Sequence, residues 1–156
     1  MEGKHHSTDY FDSTFDLRGY LDDVWGPEAL KANPLTKDIM DEVHVILEKL
    51  NLPDGIKQLD FGCGPSVNMV LSSSRVASHI VMTEYSAQNR QAVVEWLKNQ
   101  DSAYSFKHLS EYIGQKEGKY VVYYDIITYQ RKLAAIVIPH SSDFGLYDPI
   151  CFPLII

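Results

Sequence analysis

The sequence has little of what marks several protein classes. Its two cysteines, Cys63 and Cys151, lie far apart in unlike contexts, so we expect a reducing compartment and no disulfide framework. Lys and Arg number 14 against 21 Asp and Glu, a net charge of −7, which argues against a nucleic-acid partner. No apolar run reaches about 18 residues, so no membrane span is expected. The first seven residues contain no apolar signal core. These absences predict a cytoplasmic protein.

The length and composition of the chain predict a single domain. The 156 residues are 45% apolar and 22% charged, a size and composition that can bury one core without disulfides. We expect a monomer. Residues 1–14 read as a flexible polar lead. Its adjacent His5 and His6 cannot close a coordination sphere, so no metal site is predicted.

The stretch from Ile56 to Asn89 organises the chain. A short apolar run beginning at Ile56 ends in a glycine-rich turn, a helix-compatible segment follows, and a second apolar run ends in the acidic Glu84. This order predicts a βαβ unit with a ligand site at the ends of the strands.

The glycine-rich turn reads Gly62-Cys63-Gly64-Pro65-Ser66. Gly62 and Gly64 can take positive φ and let a ligand approach the backbone. Pro65 fits the first turn of a following helix, whose N-terminus would point free N–H groups at the ligand. Position 67 is Val rather than Gly or Ala, so the turn is not the dinucleotide fingerprint, and a plain strand-to-helix turn remains an alternative.

Glu84, the acidic residue at the end of the second apolar run, favours a nucleoside as the ligand. Glu84 comes about 20 residues after the turn, where such folds accept hydrogen bonds from ribose hydroxyls. Asn89 can donate and accept, which suits an adenine edge or a second ribose contact. The turn contains no Lys or Arg, so adenosine with a small charged tail fits better than a phosphate. Asp60, just before the turn, is predicted to orient the loop.

The flanking segments predict scaffold helices. Apolar residues between Thr36 and Leu50 follow helical spacing, with an inward stripe of Ile39, Met40, Val43, Ile46, Leu47 and Leu50. His44 lies among charged neighbours and is predicted to be at the surface. A second helix is expected from Gln88 to Asn99, with Trp96 in the core.

Three motifs together resemble the S-adenosylmethionine-dependent small-amine N-methyltransferases, the group of the nicotinamide, indolethylamine and phenylethanolamine N-methyltransferases. They are Asp60-Phe61-Gly62-Cys63-Gly64-Pro65-Ser66, Met82-Thr83-Glu84-Tyr85-Ser86-Ala87-Gln88-Asn89, and Val94-Glu95-Trp96-Leu97-Lys98. Upstream, Phe15-Asp16-Leu17-Arg18-Gly19-Tyr20-Leu21 is similar to the family segment that lies over the bound methyl donor. The resemblance covers residues 15–119, the N-terminal part of a methyltransferase domain.

The resemblance implies a Rossmann-like class I methyltransferase fold, an α/β fold of three αβα layers. It also implies S-adenosylmethionine as cofactor, a small amine or pyridine as acceptor, and no required general base. Tyr20 would contact the carboxylate end of the donor, and Trp25 would close the site. The donor-binding set would be Tyr20, Trp25, Gly62, Gly64, Pro65, Ser66, Asn68, Glu84, Tyr85 and Asn89. Asn68 stands where family members commonly have a tyrosine.

The last segment, residues 120–156, departs from the family. It is rich in β-branched and aromatic residues, which predicts strands, and family members continue for roughly a hundred further residues that hold the acceptor. The chain therefore looks truncated. Two hypotheses stand: a methyltransferase acting on the nitrogen of a small amine or pyridine, and a truncated, non-catalytic relative that binds the donor weakly or acts only by association.

Overall fold

Helices and a small parallel sheet make up the described part of the chain. The protein was analysed as a computed structural model, which describes residues 13–118. Most of the predicted polar lead and the whole predicted tail, residues 120–156, lie outside that range. The elements in order are α1 Leu17–Trp25, α2 Pro27–Ala32, α3 Pro34–Leu50, β1 Ile56–Phe61, α4 Asn68–Leu71, a 3-10 turn Ser73–Arg75, β2 Ala77–Thr83, α5 Ala87–Leu97 and α6 Lys107–Lys116.

Local sequence explains where the scaffold helices begin and end. The Asn33 side chain accepts a hydrogen bond from the Leu35 N–H at 3.0 Å, and Pro34 occupies the first helical position of α3. Asn51 ends this helix in the left-handed conformation, with φ of 45°. Helix α1 starts similarly, because the Asp16 carboxylate accepts from the Gly19 N–H at 2.9 Å. None of the helices within residues 13–118 is long and apolar enough to cross a membrane.

The inward face of α3 differs from the predicted stripe. Its buried residues are Thr36, Met40 and His44, whereas Ile46 and Leu50 are more than half exposed. The prediction of a surface His44 is therefore wrong, since this side chain is only 4% exposed. Tertiary contacts set the orientation of the helix: the Thr36 hydroxyl donates to the Val24 carbonyl at 2.7 Å and turns that side of α3 towards α1.

An ion cluster joins α3 to α6. The Asp41 carboxylate accepts hydrogen bonds from Lys37 and Lys116, each at 2.8 Å, and from the Tyr112 hydroxyl. Partial burial raises the pKa of Asp41, but these hydrogen bonds, from Lys116 first, outweigh it and hold the pKa well below its ordinary value. We call this group the Asp41 cluster.

The two strands pair in parallel, as the βαβ prediction requires. Asp60 aligns with Met82 and Phe61 with Thr83, so both strands end at the same edge. One face of the sheet packs into the core with Ile80 and Met82 fully buried. The other exposes Leu59 and Phe61, which are 62% and 76% accessible.

The fold-class prediction is confirmed at the coarse level. Mixed helices and strands with a parallel sheet are compatible with a Rossmann-like fold. Within residues 13–118 the sheet has two strands and keeps one apolar face exposed, so a third layer is not part of the described structure. The connection between the strands is also less helical than expected, because α4 has only four residues.

Candidate functional site

The glycine-rich loop folds onto the end of the neighbouring strand. The N–H groups of Gly62 and Cys63 both donate to the Thr83 carbonyl at 2.9 Å. Gly62 and Gly64 have φ of 73° and 64°, a region that other residues enter at a cost of about 1–2 kcal/mol. A Cβ on either glycine would meet no atom within 4 Å. The positive φ values therefore favour glycine, and open space lies beside both residues.

Glu84 closes the loop against the strand end. One carboxylate oxygen accepts the Gly64 N–H at 2.8 Å, and the other accepts the Ser86 N–H at 2.8 Å and the Asn89 side-chain amide at 3.3 Å. An ionised carboxylate can accept about four hydrogen bonds. Three come from the described residues 13–118, which leave roughly one acceptor position. The N–H groups of Gly62, Cys63 and Gly64, whose backbone was predicted to be approached by a ligand, bond to Thr83 and Glu84.

The first turn of α5 makes further contacts with the residues that follow β2. Ser86 caps the helix by accepting the Asn89 N–H at 3.2 Å. The Arg90 guanidinium donates to the carbonyls of Glu84 and Tyr85 at 3.0 and 2.6 Å, which fixes the backbone that carries Glu84. The side-chain oxygen of Asn89 is buried and has no hydrogen-bond partner within the described residues. A buried acceptor of this kind calls for a donor.

Three of the residues predicted to bind the donor, Pro65, Ser66 and Asn68, are buried. Pro65 is buried, and Ser66 and Asn68 are 4% and 3% exposed. Their side chains hydrogen-bond each other. Pro65 does not begin a helix, because α4 starts only at Asn68 and has no side-chain cap. The prediction that Pro65 lies in the first turn of a helix is wrong. The loop continues through Val67, since the N–H groups at its start bond to Thr83 and Glu84 at the end of the neighbouring strand. The donor-binding roles of these residues stay predictions.

The loop lies in a negative electrostatic environment. The pKa of the Cys63 thiol is raised to about 12, mainly by burial and in addition by the charges of Asp60 and Glu84. Burial also raises the pKa of Asp60 itself, and one of its carboxylate oxygens has no hydrogen-bond partner among the described residues. A phosphate would be repelled here, whereas a cationic group would be attracted.

The N-terminal segment lies against this site. The Gln88 side-chain amide reaches the Phe15 carbonyl at 3.5 Å, and the rings of Phe15 and Tyr20 are 5.3 Å apart. The Trp25 indole N–H donates to the Tyr20 hydroxyl at 3.3 Å. Trp25 itself belongs to the core and is 7% exposed. The structure thus brings Tyr20 and Trp25 together, with Tyr20 the more accessible of the two.

Sequence reasoning missed two contributors to this site. Arg90 lies six residues after Glu84, outside the glycine-rich turn, and its guanidinium contacts the backbone carbonyls of Glu84 and Tyr85. Ser86 is the N-cap of α5, and a serine at the start of a predicted helix is the sequence signal for such a cap. Tyr85 is 39% exposed beside them.

The described structure also has a cavity away from the glycine-rich loop. No group of three or more His, Cys, Asp or Glu within residues 13–118 could hold a metal ion. A hollow of about 320 Å³ lies between the end of α3 and the start of β2, where Asn51, Asp54, Arg75 and Val76 are among its lining residues. It lies at the amino ends of the strands, whereas the loop and Glu84 lie at their carboxyl ends.

Comparisons with known sequences find related proteins among the small-molecule N-methyltransferases. The chain is 30% identical over 126 residues to the human (Homo sapiens) nicotinamide N-methyltransferase, covering 78% of this chain and 46% of that protein. It is 33% identical over 60 residues to the mouse (Mus musculus) indolethylamine N-methyltransferase, 38% of this chain and 23% of the relative. It is 34% identical over 61 residues to the macaque (Macaca mulatta) phenylethanolamine N-methyltransferase, 39% of this chain and 22% of the relative. The chain spans about half the length of the first of these.

The family itself is identified by a match over most of the chain. A sequence model of the NNMT/PNMT/TEMT family matches residues 3–141, which extends past the boundary predicted at residue 119. The division of the chain at that boundary stays a prediction. The resemblance seen in the three motifs is confirmed, and this chain belongs to the NNMT/PNMT/TEMT family.

Proposed function

We propose that this chain binds S-adenosylmethionine and takes part in transferring its methyl group to the nitrogen of a small amine or pyridine. Family membership and the names of the relatives support methyl transfer in general. They do not favour the alternative of a truncated, non-catalytic relative that binds the donor weakly or acts only by association. Cytoplasmic location and a monomeric state remain proposals from composition.

One observation carries the proposal. The Glu84 carboxylate joins the glycine loop to the end of β2 and retains about one acceptor position. Beside it, the buried oxygen of Asn89 lacks a partner within the described residues. A ribose offers two neighbouring hydroxyl donors. One would bind Glu84 and the other Asn89, so the residues present fit a nucleoside.

The charge at the loop favours this cofactor over a nucleotide. When bound, S-adenosylmethionine supplies a methyl group on a positively charged sulfur. Burial is the main cause of the raised pKa of the Cys63 thiol, and the charges of Asp60 and Glu84 raise it as well. A cation near the loop would be stabilised by the same two carboxylates. The open space beside Gly62 and Gly64 gives such a group room.

This chain's residues would bind and orient rather than move protons. Glu84 and Asn89 would hold the ribose, and Tyr20 would cover the site from the N-terminal segment. A neutral amine attacks through its own lone pair, so alignment and exclusion of water can supply most of the acceleration. No side chain of residues 13–118 is assigned as a general base.

Isothermal titration of the full chain with S-adenosylhomocysteine tests the proposal. We expect micromolar binding to the wild type. Glu84→Gln should weaken it by about 10- to 100-fold, because hydrogen bonds to a charged group contribute about 1.5–3 kcal/mol. Glu95→Gln makes the same charge change on α5, where Glu95 accepts from Gln91 at 3.0 Å, and should bind like the wild type. No binding to wild type at millimolar ligand, or equal affinity of Glu84→Gln, would contradict the proposal.

A further inference from the structure

One face of the parallel sheet is apolar and exposed within residues 13–118. Side chains alternate between the two faces of a strand, and on this face Leu59 lies beside Val81, and Phe61 lies beside Thr83. Leu59 and Phe61 are the most exposed of these side chains, and Val81 between them is partly exposed. We call the surface formed by Leu59, Phe61 and Val81 the outer face. Parallel sheets are usually covered on both faces, so the outer face calls for a covering segment.

The chain leaves the described structure next to this sheet. Helix α6 ends at Lys116, and the carboxylate of the following Glu117 lies 3.8 Å from the Arg75 Nε atom. Arg75 comes two residues before the start of β2 at Ala77, so the chain is at the amino ends of the strands when it leaves. The intervening residues 119–149 can extend to about 100 Å, whereas a six-residue strand is about 20 Å long. Residues beyond 149 can therefore reach the outer face.

Residues 150–156 have the composition of a covering segment. They read Ile-Cys-Phe-Pro-Leu-Ile-Ile and contain no charged side chain. Pro153, in the middle, has no N–H to donate and is not expected in a central strand. The segment therefore suits packing on a face of the sheet better than extending the sheet. It also lies outside residues 3–141, which match the family, so family membership does not account for it.

We propose that residues 150–156 of this chain pack on the outer face and cover Leu59, Phe61 and Val81. The contact joins two uncharged apolar surfaces and removes both from water. The same chain is favoured over a second copy, because a covalently attached segment can have an effective concentration of up to about millimolar. The inference does not rest on the proposed function, since no ligand takes part in the contact.

Disulfide trapping on the full chain tests this contact. In a Cys63→Ser background Cys151 is the remaining native cysteine, and Leu59→Cys adds a thiol on the outer face. A disulfide requires the two Cα atoms to come within about 7 Å. We expect oxidised glutathione to link position 59 to Cys151 within one chain, at least about 10-fold faster than in a variant whose added thiol lies elsewhere.

The matched control is Leu35→Cys in the same background. Leu35 is 64% exposed and Leu59 is 62% exposed. Leu35 lies on α3, whose Met40 belongs to the core on the opposite face of the sheet, together with Ile80 and Met82. In urea the two variants should form their disulfides at rates within about twofold of each other, because loop-closure entropy depends only weakly on loop length.

Alkylation of Cys151 gives a second readout that needs no added cysteine. In the Cys63→Ser background, Leu59→Asp places a carboxylate in the outer face and should release the segment, because burying an unpaired charge is unfavourable. Iodoacetamide should then react with Cys151 about 10-fold faster or more. Leu35→Asp introduces the same charge at an equally exposed leucine and should leave the rate unchanged.

The outcomes separate the possible occupants of the outer face. Selective linking of position 59 to Cys151 within one chain, with faster alkylation in Leu59→Asp, supports the inference. Linking at position 59 no faster than at position 35, with unchanged alkylation of Cys151, overturns it. A disulfide between two chains also overturns it, because a second copy would then cover the outer face.

Discussion

Replacing Glu84 should destabilise the protein even without a ligand. Its carboxylate accepts two backbone N–H groups at 2.8 Å, from Gly64 and Ser86. Hydrogen bonds to a charged group contribute about 1.5–3 kcal/mol each, and neighbouring bonds are not additive. Because Glu84 is only partly buried, we expect Glu84→Ala to lower the free energy of unfolding by about 2–4 kcal/mol. The loss arises from leaving the N–H groups of Gly64 and Ser86 without their acceptor.

Urea denaturation with a thermal melt measures this effect. For a chain of this size the expected change corresponds to a fall in Tm on the order of 10 °C. Glu28→Ala is the matched control, because it removes the same charge from a residue whose side chain is 83% exposed, and it should change the unfolding free energy by less than roughly 0.5 kcal/mol. A Glu84→Ala protein as stable as Glu28→Ala would refute the view that Glu84 holds the loop.

Three further perturbations test individual contacts. With its pKa raised to about 12, Cys63 in a Cys151→Ser background should react with iodoacetamide at pH 8 at least about 100-fold more slowly than an ordinary thiol; an ordinary rate would contradict the buried, negatively charged surroundings. The lowered pKa of Asp41 contributes stability above its ordinary value of 3.8 that is lost as pH falls further. Asp41→Asn should therefore destabilise the protein at pH 7 and progressively less below about pH 4 in urea titrations, and a destabilisation that does not change with pH would contradict this. Gly62→Ala should cost about 1–2 kcal/mol in the same assay and Gly62→Asn less, because Asn tolerates positive φ; equal stability of all three proteins would remove the requirement for glycine.

The strands and the glycine-rich turn at their carboxyl ends were predictable because each depends on local sequence. Apolar runs of strand length ended in a glycine-rich turn and in Glu84, and the structure has parallel strands at Ile56–Phe61 and Ala77–Thr83. The start of α3 was predictable as well, since Asn33 and Pro34 form a local start signal.

Features set by tertiary contacts were not predictable from these patterns. His44 is buried because α3 turns the Thr36 side towards α1, a rotation that charged neighbours in the sequence do not reveal. The loop amides bond to Thr83 and Glu84. Two glycines in the sequence do not reveal whether the amides beside them bond to the protein or face a ligand. The contact of Gln88 with Phe15 joins residues 73 positions apart, and no local pattern encodes it.

The site itself can be located most directly by amide NMR of the full chain titrated with S-adenosylhomocysteine. The account predicts shifts that saturate together at Gly62–Gly64 and at residues 84–89, with smaller shifts at Tyr20. It predicts no comparable shifts at the hollow beside Asn51 and Arg75. Saturating shifts centred on that hollow, or no shifts at millimolar ligand, would contradict the claim that the glycine loop and Glu84 form the donor site.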